Sequence, residues 1–251
     1  MNRYLLATVS AITILVAQAA TAADMPARMP VKGPVYAPVY NWTGFYVGGQ
    51  VGYGWGTNDW TRIAGSGGSG SANGTVRSFD LDGAVAGGQI GYNFQVNQWV
   101  FGIEGEMAWS DVKGGVSAIN ANGPASWNTD VKWVSTLAGR VGYAINNVLV
   151  YGKGGVAWAN EDYNHPALAG AGAGGIQLNY TGSETRAGWL LGAGLEYGFA
   201  PNWSAKLEYE YMDFGSKDIT LNDVTGRWVT FGMDQTMQTV KVGLNYRFGG
   251  F

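Results

Sequence analysis

Pairs of carboxylates two residues apart are the feature of this sequence that could do chemistry. Glu104 and Glu106 form one pair, and Glu208 and Glu210 form another. Such groups could carry catalysis, line a selective channel or pair with bases. Basic residues recur at the same alternate positions, which favours an ion-pair network. The predicted network contains five acids and four bases: Glu104, Glu106, Arg140, Lys153, Glu196, Lys206, Glu208, Glu210 and Lys241.

The stretch 203–212 indicates which element carries these charges. Apolar Leu207 and Tyr209 alternate there with Lys206 and Glu208, as on a strand with one apolar and one ionic face. Seven more stretches have the same pattern. A base facing lipid near the middle of a membrane would cost about 2–4 kcal/mol. We therefore expect the ionic face to line a lumen and the apolar face to contact lipid.

Aromatic residues recur about ten positions apart on the predicted outward face. Phe45 and Trp55 are one such pair, and Trp99 and Trp109 are another. Ten residues at about 3.3 Å each, tilted by about 40°, project to roughly 25 Å, the apolar height of an outer-membrane barrel. The spacing predicts an aromatic girdle at each edge of the apolar band, made of Phe45, Trp55, Trp99, Trp109, Trp133, Tyr143, Trp158, Trp189, Phe199 and Trp203.

Long and short connections alternate between the predicted strands. The long ones are 56–77, 111–130, 160–184 and 213–234, and the short ones are 95–98, 144–147 and 200–202. This alternation predicts an all-β fold, an eight-stranded antiparallel up-and-down transmembrane β-barrel with long loops outside the cell. Strand two is expected at about 79–95, and strand eight at about 236–248. Because Phe79 and Val85 are apolar on the opposite parity of strand two, we expect a bulge or an early loop there.

The first residues predict export. Arg3 gives a positive start, an apolar stretch covers 5–17, and Ala20 and Ala22 fit a cleavage signal. Cleavage would remove one base of 15 and no acid of 18, leaving an acidic chain without support for nucleic-acid binding. Only 13% of residues are charged, too few for an ordinary water-facing surface. We predict a signal peptide at 1–22, a Pro-rich periplasmic arm at 23–41 and an outer-membrane β-barrel at 42–251.

Other candidate sites receive little support. The single histidine, His165, is expected to be an exposed, inert loop residue that could pair with Asp162. The glycine-rich run 65–70 is not followed by the helix that a phosphate loop needs. The loop acids lack the spacing of a calcium loop and are expected to be solvated: Asp59, Asp80, Asp82, Glu161 and Asp162. We predict no enzyme activity, no cofactor and no metal.

Several segments resemble the small porin-like outer-membrane proteins of alpha-proteobacteria, also called outer-membrane immunogenic proteins, which are similar in fold to the OmpA membrane domain. The matching segments are WTGFYVGGQVGYGWG at 42–56, GGQIGYN at 87–93, GIEGE at 102–106, GAGLEY at 192–197, EYEYMDFG at 208–215 and VGLNYRF at 242–248. The resemblance implies an abundant surface barrel that helps to maintain the envelope. Some such proteins are called porins, and some bind haem or host surfaces.

The same resemblance directs attention to the last strand. Barrels of this kind usually end on an aromatic residue that the barrel assembly machinery recognises. Phe248 has the right parity, as does Tyr246, but Phe251 is the final residue. The predicted assembly signal therefore comprises Tyr246, Phe248 and Phe251.

The favoured function is a structural outer-membrane barrel with an ion-paired lumen, in contact with outer-membrane lipid and lipopolysaccharide. One alternative is a narrow porin for ions or small solutes. A second is binding of a surface ligand, haem or a host molecule, through loops that carry Trp60, Trp127, Tyr163, His165 and Trp228.

Overall fold

In a computed structural model, residues 40–66, 72–169 and 175–249 are described, and they form eight β-strands. No helix among these residues is long and apolar enough to cross a membrane. The predicted signal peptide, nearly all of the predicted arm and Phe251 lie outside the described residues. The strands are β1 (Gly44–Gly65), β2 (Val76–Val96), β3 (Trp99–Asn120), β4 (Gly123–Ile145), β5 (Val148–Ala169), β6 (Ile176–Ala200), β7 (Trp203–Asn222) and β8 (Trp228–Phe248).

The eight strands close into an antiparallel up-and-down barrel. Each strand pairs with the next, and β1 pairs with β8 from Phe45 opposite Phe248 upward. The three short turns fall at 97–98, 146–147 and 201–202. Asn97 and Asn146 have a φ of 54°, the left-handed conformation that two-residue hairpin turns require and that Asn tolerates. The predicted fold class and the short connections are confirmed.

The strands are much longer than a membrane requires. They have 20 to 25 residues, whereas about 9–11 tilted residues cross a bilayer. The four long loops predicted from the sequence are therefore wrong in extent, because the barrel wall continues through most of each. The connections that remain at this end are 66–75, 121–122, 170–175 and 223–227.

The inner and outer faces of the barrel wall exchange their polarity above the girdle that contains Trp109 and Trp133. Below it, apolar side chains point outward and charged ones inward. Above it, the exposed residues are mostly polar and the buried ones mostly apolar or aromatic. An outer surface of this polarity suits water rather than lipid, so the pattern becomes that of a soluble barrel.

This exchange explains the unusual parity of strand two. Phe79, Leu81 and Val85 are buried inside the barrel, and β2 pairs with β1 without a register shift from Asn93 to Val76. The bulge or early loop expected there is wrong. Register shifts lie instead between Val131 and Trp133 on β4 and between Asp213 and Ser216 on β7.

Candidate functional site

Nine charged side chains lie together inside the barrel, between the two rows of outward aromatic residues; we call them the ionic layer. They come from the six strands β3 to β8, and each is at most 6% exposed. The alternation of the sequence predicted this set, and the structure brings its members within contact of one another. They are Glu104, Glu106, Arg140, Lys153, Glu196, Lys206, Glu208, Glu210 and Lys241.

Lys153 is the centre of the ionic layer. Its Nζ lies 2.5 Å from an oxygen of Glu210, 2.9 Å from Glu106, 3.0 Å from Glu208 and 3.2 Å from Glu104. The carboxylate oxygens of Glu104, Glu106 and Glu208 lie within 4.8 Å of one another, close enough to hold a metal ion. The Lys153 ammonium group neutralises the same carboxylates that a metal would bind.

Two further lysines extend the layer on the side of β7 and β8. Lys206 Nζ lies 3.1 Å from Glu106, and Lys241 Nζ lies 2.5 Å from Glu106 and 2.6 Å from Glu210. Each of the three lysines contacts more than one acid, and each acid that a lysine contacts has more than one cation. Removal of one member would therefore leave buried charges without full compensation.

Arg140 links Glu196 to the other members of the ionic layer. Its Nη2 donates to a Glu196 oxygen at 2.7 Å, and its Cζ lies 4.0 Å from the centre of the Tyr151 ring. Tyr151 donates its hydroxyl to Glu208, and Tyr46 donates to Glu104, both at 2.7 Å. Two phenols thus complete the hydrogen bonding of carboxylates that the lysines neutralise.

Glycines on the inner face provide the room for these tyrosines. A Cβ at Gly91 would lie 2.3 Å from the Tyr46 hydroxyl oxygen, and one at Gly194 would lie 2.5 Å from the Tyr151 ring. Both distances are far below van der Waals contact. These two glycines are packing positions for large neighbours.

An aromatic cluster fills the lumen above the ionic layer, and we call it the upper core. Trp60 lies at its centre, with its ring 5.1 Å from Phe231, 5.7 Å from Tyr163 and 6.0 Å from Phe79. Trp127 is also buried. The surface-ligand hypothesis required Trp60, Trp127 and Tyr163 in exposed loops, and this placement is wrong; Trp228 alone of that set is exposed.

His165 is buried in the upper core rather than exposed, so its interpretation as a solvated loop residue is wrong. Its ring lies 4.8 Å from Trp127 and 5.3 Å from Phe231. Nδ1 donates to the Ser126 carbonyl at 2.7 Å, whereas Asp162 is exposed on the outer wall. Burial in an apolar cluster favours the neutral imidazole, and the hydrogen bond to the Ser126 carbonyl opposes this effect.

We expect His165 to titrate far below an ordinary histidine. Burial lowers the pKa of its imidazole to about 4. As the pH falls from about 6.5 to 4, the imidazole binds a proton in the unfolded chain but not in the folded one. The free energy of unfolding therefore falls by about 3 kcal/mol across this window. An NMR titration of the only histidine should show a midpoint near pH 4. The pH slope of stability should be weaker in His165→Leu, and a midpoint near 6.5 would contradict the burial argument.

A second buried polar group lies at the level of the upper core. The β6–β7 pairing is interrupted between Thr181 and Trp189. Arg186 reaches across this gap and donates to the carbonyls of Gly215 at 2.5 Å and Met233 at 3.0 Å. Sequence reasoning missed Arg186.

Glu161, which was expected to be solvated, is buried and takes a hydrogen bond from Tyr163. Burial raises the pKa of the Glu161 carboxyl, and the charge of Arg186 opposes this rise. The other four loop acids are exposed as predicted: Asp59, Asp80, Asp82 and Asp162.

The end of the lumen near the short turns is also filled, and we call this packing the lower plug. Tyr40 and Trp42, just before β1, are buried with Leu149 and Tyr151. Arg247 lies over the Tyr40 ring at 4.8 Å. Tyr40, assigned from the sequence to the arm, therefore packs as part of the barrel.

The ten predicted girdle residues all lie on strands with partly or largely exposed side chains. Their exposure ranges up to 71% at Trp109. At the last strand, Phe248 is exposed and Tyr246 packs edge-on against it at 5.1 Å. Recognition of these residues by the assembly machinery stays a prediction.

Comparison with known proteins gives a consistent result. Residues 8–248 match the family model described as outer membrane protein beta-barrel domain. The chain is 31% identical over 210 residues to the 25 kDa outer-membrane immunogenic protein of Brucella abortus, covering 83% of this chain and 80% of that protein. It is 35% identical over 150 residues to the 31 kDa outer-membrane immunogenic protein of Brucella melitensis, and the match covers 59% of each chain.

Among solved structures, the outer membrane protease OmpT of Escherichia coli has a TM-score of 0.50 and 10% identity. The match covers 83% of this chain and 98% of OmpT. At this identity the likeness concerns the fold alone.

Proposed function

Because the chain belongs to the outer membrane protein beta-barrel family, we propose that it is a structural protein of the cell outer membrane with a sealed lumen. In this proposal the lipid-facing wall anchors the barrel in the membrane, and the part of the barrel above the girdle makes contacts at the cell surface. The protein contributes to envelope integrity without conducting solutes. Residues 1–22 serve as its signal peptide and 23–41 as a periplasmic arm, and the barrel assembly machinery inserts it.

The observation that carries this proposal is the filling of the lumen by the lower plug, the ionic layer and the upper core. A cavity of only about 20 Å³ lies between the ionic layer and the upper core, lined by Glu106, Lys241 and Met237. Such a volume holds about one water molecule. Within the described residues, this packing supports a lumen closed to hydrated ions and solutes.

The same contacts favour a non-enzymatic role. The carboxylates of the ionic layer are each held by bases, so none is free to act as a general acid or base at neutral pH. His165 is packed against aromatic rings. A fold similar to that of a protease does not by itself give this chain a catalytic group.

The porin alternative requires the ionic layer to rearrange, and single-channel recording distinguishes it. We expect heat-modifiable, folded protein in a planar lipid bilayer to give no steady unitary steps. Lys206→Ala and the outer-wall control Lys217→Ala should be equally silent. Steady steps in the wild type that change in Lys206→Ala but not in Lys217→Ala would replace the sealed lumen with a narrow pore.

A further inference from the structure

A polar groove of about 850 Å³ is cut into the outer wall of β3 to β6. Its volume is within the range of about 300–1,000 Å³ of small-molecule sites. The side chains of alternate residues on four neighbouring strands project into it. The outward lining residues are Lys113, Asn128, Asp130, Asp162, Asn164, Thr181 and Ser183.

The groove has a defined height relative to the membrane. Asp162 is four residues above the girdle residue Trp158 on β5, which is about 10 Å above the edge of the apolar band. Below it on the same strands, Leu137, Val156 and Leu191 are exposed toward lipid. With increasing height, the outer wall of β3 to β6 is thus first apolar, then aromatic, and then concave and polar. A lipid with a large headgroup has the same order of acyl chain, interfacial region and headgroup.

Other grooves on the outer wall lack this polarity. One is lined on its outer side by Val51, Ala205 and Leu244, and another by Val150, Leu195 and Val240. Both lie within the lipid-facing band, where apolar linings suit acyl chains. The polar groove instead suits an occupant with hydrogen-bonding groups.

The chemistry of the lining is that of a saccharide site. Amides of Asn128 and Asn164 and hydroxyls of Thr181 and Ser183 can donate to and accept from sugar hydroxyls. Asp130 and Asp162 stand directly opposite each other on β4 and β5. In sum the lining offers many acceptors for neutral hydroxyl donors.

One acceptor lacks a donor within the described chain. Asp130 Oδ1 is shielded from water and has no hydrogen-bond partner among the described residues. Its other oxygen pairs with Lys132, whose Nζ also lies 3.6 Å from Asp162. An unpaired carboxylate oxygen costs free energy, and a side-chain rotation that opens it to the groove would let a sugar hydroxyl donate to it.

The geometry points to the polar groove as a binding site for the saccharide headgroup of a glycolipid in the surrounding outer leaflet. The acyl chains of this lipid lie on the apolar wall of the same four strands, and its sugars enter the groove from the side. Lys113 lines the groove, and Lys132 lies beside it through its pair with Asp130, so both can contact phosphate on those sugars. The site is independent of whether the lumen is sealed.

Native mass spectrometry of the folded protein in detergent tests this assignment. The probes are a lipopolysaccharide with lipid A and a core saccharide, the core oligosaccharide freed of lipid, and phosphatidylethanolamine. Ser183→Trp fills the groove, and Asn128→Ala with Asn164→Ala removes its amides. The matched control is Ser78→Trp, which is exposed on β2 opposite Asp59, four residues above girdle residue Trp55.

We expect the wild type and Ser78→Trp to retain lipopolysaccharide equally. Both groove variants should bind it roughly tenfold more weakly, the loss of about one good hydrogen bond. Equal retention by all folded variants, or equal retention of phosphatidylethanolamine, would overturn the assignment. Binding of the lipid-free oligosaccharide as tight as that of lipopolysaccharide would also overturn it, in favour of a soluble sugar.

Discussion

Replacing Lys153 by Met should destabilise the barrel more than any single surface change. The substitution removes the cation that contacts Glu104, Glu106, Glu208 and Glu210, while the volume of the side chain is nearly kept. The ionic layer then has two more acids than bases, and all remain buried. Breaking a buried ion pair from one side costs about 3–5 kcal/mol, and we expect a loss of this size.

Urea unfolding in detergent micelles, followed by tryptophan fluorescence, measures this loss. Lys113→Met is the control, because Lys113 and its partner Asp111 are largely exposed and such a pair contributes about 0–1 kcal/mol. Adding Glu210→Gln to Lys153→Met restores the charge balance and should recover part of the stability. If Lys153→Met and Lys113→Met unfolded at the same urea concentration, the ionic layer would not be a stabilising network.

The membrane-spanning half of the barrel could be predicted from sequence because lipid enforces one rule along it. Outward residues such as Leu207 must be apolar, so inward residues such as Glu208 and Lys206 are recognised by parity alone. The strand count and the short turns followed from the same rule. The partners within the ionic layer could not be predicted, since Lys153 contacts acids on β3 and β7 across the lumen rather than on adjacent strands.

The half of the barrel above the girdle could not be predicted because the rule reverses there. Phe79 and Trp60 point inward, as in a soluble barrel. The alternation expected for lipid contact is therefore absent from the sequence of these segments, which then resemble loops. Register shifts on β4 and β7 add a second obstacle: buried Val131 and buried Val134 have opposite parity. His165 and Glu161 were consequently assigned to solvent. With Tyr163 they occupy every second position and continue the inner face of β5.

The second large effect on stability is expected for Arg186→Met, at the gap in the β6–β7 pairing. Arg186 is buried, and its Nη2 is the donor to the carbonyls of Gly215 and Met233. Met fills a similar volume but leaves these carbonyls and the buried Glu161 carboxyl without the guanidinium. We expect local opening of the barrel wall to become easier by about 3–5 kcal/mol.

Hydrogen exchange followed by mass spectrometry locates this effect. Amides at 214–222 of β7 should exchange roughly 100-fold faster or more, since each 1.4 kcal/mol is a factor of ten. Those at 204–212, within the membrane band, should change little. Lys217→Met is the matched control, because the Lys217–Glu184 pair at 2.6 Å crosses the same gap on the exposed outer side. Faster exchange spread evenly over all strands would instead mean that Arg186 supports the whole barrel, and equal effects of both variants would remove any special role of the buried guanidinium.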